Sequence, residues 1–499
     1  MGKLFYGDNI DILRNKIDAE SIDVCYIDPP FNSQRNYNQI YNSIGQDDRA
    51  QAQAFLDTWI WDERADSGFA EISQNRRGRF QPQLTELVKG LRGVLKESSL
   101  LAYLVSLSLR ITEIHRVLKT TGTFFLHCDP TSSHYLKLVV DAVFCGNLPG
   151  DFRNEIIWSY ESGGRSKKDF GRKHDVIFRY TKSATWVFNG DAVLLDRRVA
   201  RKNHMKKAVE PDGRVYYSIK SAGKIYKYYE DQGVIPSDVW SDISHLQQKD
   251  PERMGYPTQK PEALLERIIL SACPENGTVL DAYCGCGTTV VAAQKLSRNW
   301  IGIDITYQSI SLIMKRLEER FKGQTAAVEL DGVPRDMASA VALANKSDDR
   351  LRKEFEKWAV LTYTSNRAAI NEKKGADAGI DAIAYFQTSR LENEKVIFQV
   401  KSGSVKRGDI ATLRGDMQRE KAPLAVLLTL EPPTRAMIAE AKAAGQYRHE
   451  SMGRSYDCIS IVTVQEILEQ KRRLDIPMNL DVLKQAQSLV IADQLDLLG

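Results

Sequence analysis

Along the first 325 residues, continuous apolar runs of strand length alternate with stretches whose apolar positions recur at helical spacing. Ser21 to Ile27, Gly122 to His127, Asp175 to Tyr180, Thr278 to Ala282 and Trp300 to Ile305 are the strand-like runs, and Met1-Gly2-Lys3-Leu4 leads directly into another. The segments around 83–118, 131–144, 261–272 and 306–322 predict helices. Alternation of this kind predicts an α/β fold with a mostly parallel sheet. Such sheets gather their ligands beyond the carboxyl ends of the strands. From 182 to 256 the pattern loosens into aromatic and basic positions: Tyr216-Tyr217, Lys224, Tyr226 to Tyr229, then Trp240. Residues 326–345, with Gly332-Val-Pro334 and a run of small residues to Ala344, read as a linker. A second alternation follows over 346–499. It has a helix from Leu351 to Tyr363, strands from Ile380 to Phe386, Val396 to Val400 and Ala425 to Thr429, and a helix near Thr434 to Ala444. The chain thus predicts a domain over 1–325 with an insertion at 182–256, a linker, and a smaller C-terminal α/β domain.

Composition changes this picture little. A chain of 499 residues is too long for one ordinary core, and 42% hydrophobic with 27% charged residues is the balance of a soluble globular protein. No apolar stretch approaches the roughly 18–20 residues of a membrane span, and no secretory signal is read at the start. Seven cysteines, several in apolar strands, predict reduced thiols and a cytoplasmic location. Cys284 and Cys286 are too close in sequence to suit a metal. The net charge of +4 is uninformative as a total. Clustering matters more: Arg165, Lys167 and Lys168 run to Arg172-Lys173, and Arg197-Arg198, Arg201-Lys202 and Lys206-Lys207 follow. Each run alone reads as a solvated face, but together they suit phosphate contacts. The 182–256 insertion reads either as a DNA reader or as a small β-rich lobe packed with tyrosines.

Two short motifs carry chemistry. Asp28-Pro29-Pro30-Phe31 follows the apolar run that ends at Ile27. The exocyclic nitrogen of adenine is weakly nucleophilic, so its lone pair must be aimed at an electrophilic methyl. Asp28 supplies a carboxylate to accept one N–H. The two prolines fix φ, so that the intervening carbonyl can accept the other. Phe31 offers a face for a base taken out of its stack. Alone, the tetrapeptide also fits a rigid turn or a cytosine site. The second motif is Asp281-Ala-Tyr283-Cys-Gly285-Cys-Gly287-Thr288-Thr289, a strand end, a glycine turn and a helix start, which lets backbone approach a ligand. About twenty residues on, Asp304 ends the next strand, where an acidic side chain suits ribose hydroxyls. This motif alone fits a dinucleotide site as well as a methyl donor.

Taken together, these residues resemble the β-class DNA amino-methyltransferases, which include the modification subunits of type III restriction systems. The resemblance covers roughly residues 1–325 and has the same motif order. It implies a Rossmann-like, S-adenosylmethionine-dependent adenine-N6 methyltransferase acting on double-stranded DNA. In that family the segment resembling Gly7-Asp8-Asn9 contacts the adenine of S-adenosylmethionine. Tyr256-Pro-Thr258-Gln-Lys260-Pro261 is similar to the H-P-T-Q-K-P element beside the cofactor's methionine end, with Tyr256 in place of the histidine. Lys173-His174-Asp175 before a strand is also similar to the family. Ala282-Tyr283 replaces a more usual Pro-Phe. An aspartate rather than a serine before the prolines implies adenine over cytosine N4. The resemblance therefore implies Asp8, Asn9, Thr258, Lys260, Asp281, Tyr283, Gly285, Gly287, Thr288 and Asp304 as cofactor contacts. It implies Asp28, Pro29, Pro30 and Phe31 as the catalytic set.

In the C-terminal segment, Gly375-Ala-Asp377-Ala-Gly379-Ile-Asp381 precedes Phe398-Gln399-Val400-Lys401. In strand geometry Gln399 and Lys401 share a face. The arrangement resembles the Mrr-like branch of the PD-(D/E)xK restriction nucleases. It implies Mg²⁺ on Asp381, with Lys401 orienting the attacking water and Glu356 as a further carboxylate. An ordinary Lys401–Asp381 salt bridge and a domain that only binds DNA are the competing readings. A homodimer and a separate restriction subunit are left open as partners.

Overall fold

The computed structural model describes residues 1–476 apart from 31–58, 147–149, 161–167, 197–204, 248–249, 255, 257, 324–327, 346–348, 366, 372–378, 389–392 and 450–451. The expected Phe31, Arg165, Lys167, Arg197–Lys202, Pro257 and Gly375–Asp377 lie outside the described residues. The chain divides into two compact units, one holding the described residues up to Asp304 with Val328 and Glu329, the other beginning at Ile305.

The first unit contains β1 (Gly2–Tyr6), β2 (Ile22–Ile27), β3 (Leu118–Cys128), β4 (Asp151–Ser159) and β5 (His174–Thr181). A separate antiparallel ribbon follows, made of β6 (Lys206–Val209), β7 (Val215–Ser221) and β8 (Lys224–Tyr229). After it come β9 (Val239–Trp240), β10 (Thr278–Asp281), β11 (Asn299–Asp304) and β12 (Val328–Asp331). The main sheet runs in the order β12-β1-β11-β10-β2-β3-β5-β4-β9. β1, β11, β10, β2 and β3 are parallel, while β5 is antiparallel to both of its neighbours. The sheet is therefore mixed, and Asp175–Tyr180 is the expected strand that runs the other way.

All six positions of β2 are buried, as an unbroken apolar strand requires. Cys25, Ile27, Phe124, Leu126 and Phe178 join a core cluster with Leu104, Ile111 and Val140 from two helices, Ser99–Val117 and Ser133–Phe144. By strand alternation Tyr26 points to the opposite face. The helix expected over 83–118 is two helices, Pro82–Leu95 and Ser99–Val117. Lys96 ends the first at φ 54, and the Ser98 side chain caps the second by accepting from the Leu101 amide. The register Val279–Val24 and Leu280–Cys25 sets β10 directly beside β2. Two motifs far apart in sequence thus leave the same sheet edge on adjacent parallel strands.

The second unit has β13 (Ala369–Ile370), β14 (Ala382–Gln387), β15 (Asn393–Lys401) and β16 (Leu424–Thr429). A small ladder of β17 (Gln446–His449) and β18 (Arg454–Asp457) precedes β19 (Ile459–Thr463). The sheet order is β13-β14-β15-β16-β19, antiparallel up to β15 and parallel beyond it. Its core joins Ile397, Leu427 and Ile459 to Ile410, Leu413 and Met437 of helices Arg407–Arg419 and Arg435–Lys442.

Two boundaries differ from expectation. The helix Tyr307–Arg320, expected to close the first domain, clusters with the second unit. Its first amide donates to Glu354 at 2.8 Å, and the Tyr307 hydroxyl meets Thr362 Oγ1 at 3.1 Å. The supposed linker contains β12 and the helix Met337–Ala344, started by a capping box between Asp336 and Ser339. Its alanine-rich sequence suits a helix, and Ala340, Leu343 and Ala344 are buried.

Candidate active site

Asp28 follows β2 directly, and its Oδ2 accepts from the ammonium of the buried Lys260. Lys260, expected beside a cofactor, therefore stands on the motif aspartate. Thr258, also expected at the cofactor, is exposed at φ 64, and its carbonyl accepts from Lys260 at 3.5 Å. Behind this pair runs a buried hydrogen-bonded chain. The Tyr26 hydroxyl meets His127 Nδ1 at 2.8 Å, His127 Nε2 meets Asp175 Oδ2 at 3.0 Å, and the Tyr160 hydroxyl donates to Asp175 Oδ1 at 3.0 Å. Burial alone would raise the Asp175 carboxyl. The bond and charge of His127, the charge of Lys260 and the Tyr160 hydroxyl together bring it down to about 2. As a carboxylate it accepts, so His127 Nε2 carries the proton.

The glycine turn between β10 and the helix Thr288–Lys295 is fixed from several sides. Gly285 (φ 48) donates its amide to Asp304 Oδ2 at 2.9 Å, and Gly287 (φ 77) donates to the Cys284 carbonyl at 2.7 Å. A Cβ at Gly285 would stand a tight 3.1 Å from the Tyr256 hydroxyl oxygen, and the left-handed φ itself favours glycine there. Asp281 is buried, accepting from Thr289 Oγ1 at 2.5 Å and from the Tyr283 amide at 3.0 Å. Burial pushes its carboxyl up to about 7 against those two bonds, and the charges of Asp28 and Asp304 add to the rise. Thr288 is buried at the helix start and Tyr283 packs against the core cluster.

Asp8 caps the helix Asn9–Lys16, its Oδ1 accepting from the Ile10 amide at 3.0 Å and from Arg110 Nη2 at 2.9 Å. Asn9 donates to the Ala282 carbonyl at 2.7 Å and accepts from Arg110 Nε at 2.5 Å. Arg110 is anchored in turn by the Ser106 carbonyl and hydroxyl. Arg110, Tyr26, His127 and Tyr160 were not among the expected site residues. The signal was present: a tyrosine and a histidine inside apolar strands, and an arginine in the apolar run Leu107–Ile111.

In the second unit the backbone of β15 holds Asp381. Asp381 Oδ2 accepts from the Val400 amide at 2.7 Å, and the Asp381 amide donates to the Phe398 carbonyl at 2.8 Å. The buried Gln399 donates Nε2 to the Gly379 carbonyl at 2.9 Å, leaving its Oε1 buried without a partner. Gly379 sits at φ 84, and a Cβ there would lie 2.7 Å from that Nε2. Glu356 is close enough to feel Asp381. Burial first, then the Asp381 charge, pushes its carboxyl to about 7 against Lys353, Arg352 and Lys401. Burial pushes Asp381 up to about 6 against the Val400 bond, Lys401 and Lys353. Among the described residues no group of three or more His, Cys, Asp or Glu side chains could hold a metal ion.

A mixed, mostly parallel sheet that brings an Asp-Pro-Pro segment beside a glycine turn, amid converging carboxylates, defines an α/β methyltransferase. The chain belongs to the DNA methylase family, whose model, spanning N6 and N4 methylation, matches residues 22–315. Residues 351–469 match a second model, described as NACHT-associated inactive restriction endonuclease 1. The DNA adenine methyltransferase YhdJ of Escherichia coli (strain K12) is 26% identical over 317 residues, covering 63% of this chain and 82% of the relative. The type II methyltransferase M.HpaI of Haemophilus parainfluenzae is 29% identical over 234 residues, 46% of this chain and 65% of the relative. Among solved structures, the M1.HpyAVI–SAM complex aligns over 64% of this chain and 100% of its own at 16% identity, with a TM-score of 0.32. No helix among the described residues is long and apolar enough to cross a membrane.

Proposed function

We propose that the first unit methylates N6 of adenine in double-stranded DNA, with S-adenosylmethionine as donor. The observation that carries this reading is the adjacency of β2 and β10, which sets Asp28 and the glycine turn on one sheet edge. The donor set fits. Asp281, held at about 7 partly by Asp28 and Asp304, gains most from a cation, and S-adenosylmethionine carries a sulfonium and an ammonium. When bound, it supplies an electrophilic methyl. Asp28 accepts one hydrogen of the amino group and the carbonyl of Pro29 the other, turning the nitrogen lone pair out of conjugation. As the N–C bond forms and the C–S bond breaks, the surplus N–H proton passes toward Asp28 and then to water. Asp304 suits the ribose, and the Asp8–Asn9 corner suits the adenine of the donor. The aspartate in the Pro-Pro motif favours adenine over cytosine. The adenine activity carried in YhdJ's name agrees with this.

DNA from cells expressing the protein is expected to carry N6-methyladenine at one sequence context, as read by modified-base sequencing. N4-methylcytosine in its place would reassign the base but not the reaction. Arg110 is expected to matter through the donor: Arg110→Lys keeps the charge but cannot bridge Asp8 and Asn9 as the planar fork does. Its donor dissociation constant should weaken by about tenfold in calorimetry, at little cost to the maximal rate.

The ribbon β6–β8 suits duplex DNA. Lys227 lies 4.5 Å over the Tyr216 ring and Arg214 4.3 Å over Tyr229, so cations and aromatic faces alternate on one surface.

For the second unit we infer an Mrr-like, PD-(D/E)xK-type site. Asp381, Glu356 and the unpartnered Gln399 Oε1 fit a hard cation such as Mg²⁺, and Lys401 would orient a water for in-line attack. The matched family is described as inactive. The expected outcome with Mg²⁺ is nicking of unmethylated duplex that Lys401→Ala removes. Intact DNA with both proteins would leave a DNA-binding domain.

A further inference from the structure

Lys260 acts on two carboxylates. Its ammonium donates to Asp28 Oδ2, and its charge is among the forces acting on Asp175. Asp175 cannot swing freely, because one oxygen takes His127 Nε2 and the other the Tyr160 hydroxyl, each at 3.0 Å. His127 is fully buried, anchored at its other nitrogen by the Tyr26 hydroxyl, with Trp158 edge-on at 5.8 Å between centroids. Tyr26, on β2, precedes Asp28 by two residues, so the chain of bonds begins beside the carboxylate that Lys260 holds.

We propose that Lys260 is the positioning counter-ion of Asp28 in methyl transfer, held in place by the Asp175–His127–Tyr26 frame, rather than a ligand of the methyl donor. This rests on the reading of Asp28 as the amino acceptor. With Oδ2 taken by the ammonium, Oδ1 is the oxygen turned to the base amino group. The bond to the ammonium fixes the direction of that free oxygen. A buried charge pair of this kind sets direction more than it adds stability.

Lys260→Met is expected to lower the maximal methylation rate by about tenfold or more. The donor dissociation constant should change by less than about threefold. Lys260→Arg keeps the charge and should hold the rate within about threefold of the native protein. Tyr26→Phe, nearly isosteric, should slow the maximal rate by about threefold or more with donor binding intact. If Lys260→Met unfolds, Lys260→Arg and Tyr26→Phe carry the test. The proposal is overturned if Lys260→Met loses donor binding while the rate at saturation is unchanged, or if Tyr26→Phe is fully active. Asp28→Ala run alongside separates the two levels: retained activity there would remove the underlying reading instead.

Discussion

Asp28→Ala is expected to lower methyl transfer to DNA by about 10³-fold at saturating donor, with the donor dissociation constant changed by no more than about threefold. The split follows from where each group stands. The glycine turn is tied down by Asp304 on Gly285, by Asn9 on Ala282 and by Thr289 on Asp281, and none of these bonds passes through Asp28. Removing Asp28 takes one negative charge from the cluster that a cationic donor would meet, which weakens donor binding slightly. It also takes the carboxylate that follows β2, so the amino group loses its acceptor and its orientation. Lys260 then loses its carboxylate partner at Asp28 in a buried place, and a modest drop in melting temperature should accompany the loss of rate. Labelled-methyl incorporation and calorimetric donor binding on the same preparation check both halves. Wild-type incorporation by Asp28→Ala would sink the assignment of Asp28, and loss of donor binding would move that residue into the donor site.

How much of this was legible in the sequence varies with the kind of contact. The strands around the site were readable because β2 and the inner strands are buried along their length, so their apolar runs are unbroken. The direction of β5 was not readable, since an antiparallel strand buried on both faces has the same pattern as a parallel one. The glycine turn and Asp-Pro-Pro could be found because backbone demands at turns select residue types. Arg110, His127 and Tyr160 could not be found in that way. Their roles arise from hydrogen bonds across large sequence separations, and nothing local requires an arginine in a helix or a histidine in a strand. The supposed linker failed for a related reason. A run of small residues reads as a connector until its capping box is recognised, and Asp336 with Ser339 is the capping pair that opens a helix there.

Asp28 and Asp175 of the first unit are held differently from Glu356 and Asp381 of the second. In the first unit Asp28 has a lysine partner and Asp175 is held at about 2 by donors around it. In the second, Glu356 and Asp381 are raised together, with Lys353, Arg352 and Lys401 only partly offsetting burial. Such a pair costs folding free energy whenever both members are ionised, unless a cation joins them.

The second unit is therefore expected to lose stability as pH rises, opposite to a protein whose carboxylates are salt-bridged. Folded, Glu356 releases its proton at about 7 and Asp381 at about 6, against reference values of 4.5 and 3.8. The folded state thus binds more protons than the unfolded one between those limits. Their contribution is fully present below about pH 4 and is lost as pH rises through 6 and 7. Between pH 5.5 and pH 8 the loss is about 2 kcal/mol, or ~30-fold in the opening equilibrium, allowing for the mutual influence of the pair. Hydrogen exchange of the full chain reads this locally. Peptides from β14 and β15 should be more protected at pH 5.5 than at pH 8, after correction for intrinsic exchange. Glu356→Gln should flatten the difference and raise protection at pH 8. Mg²⁺ at pH 8 should restore protection in the native protein and not in Glu356→Gln, because the cation stabilises the ionised pair that pH alone leaves uncompensated. Equal protection at both pH values, or a Glu356→Gln unit less protected than the native one at pH 8, would show that these carboxyls are satisfied by other partners and that no cation site is held open between them.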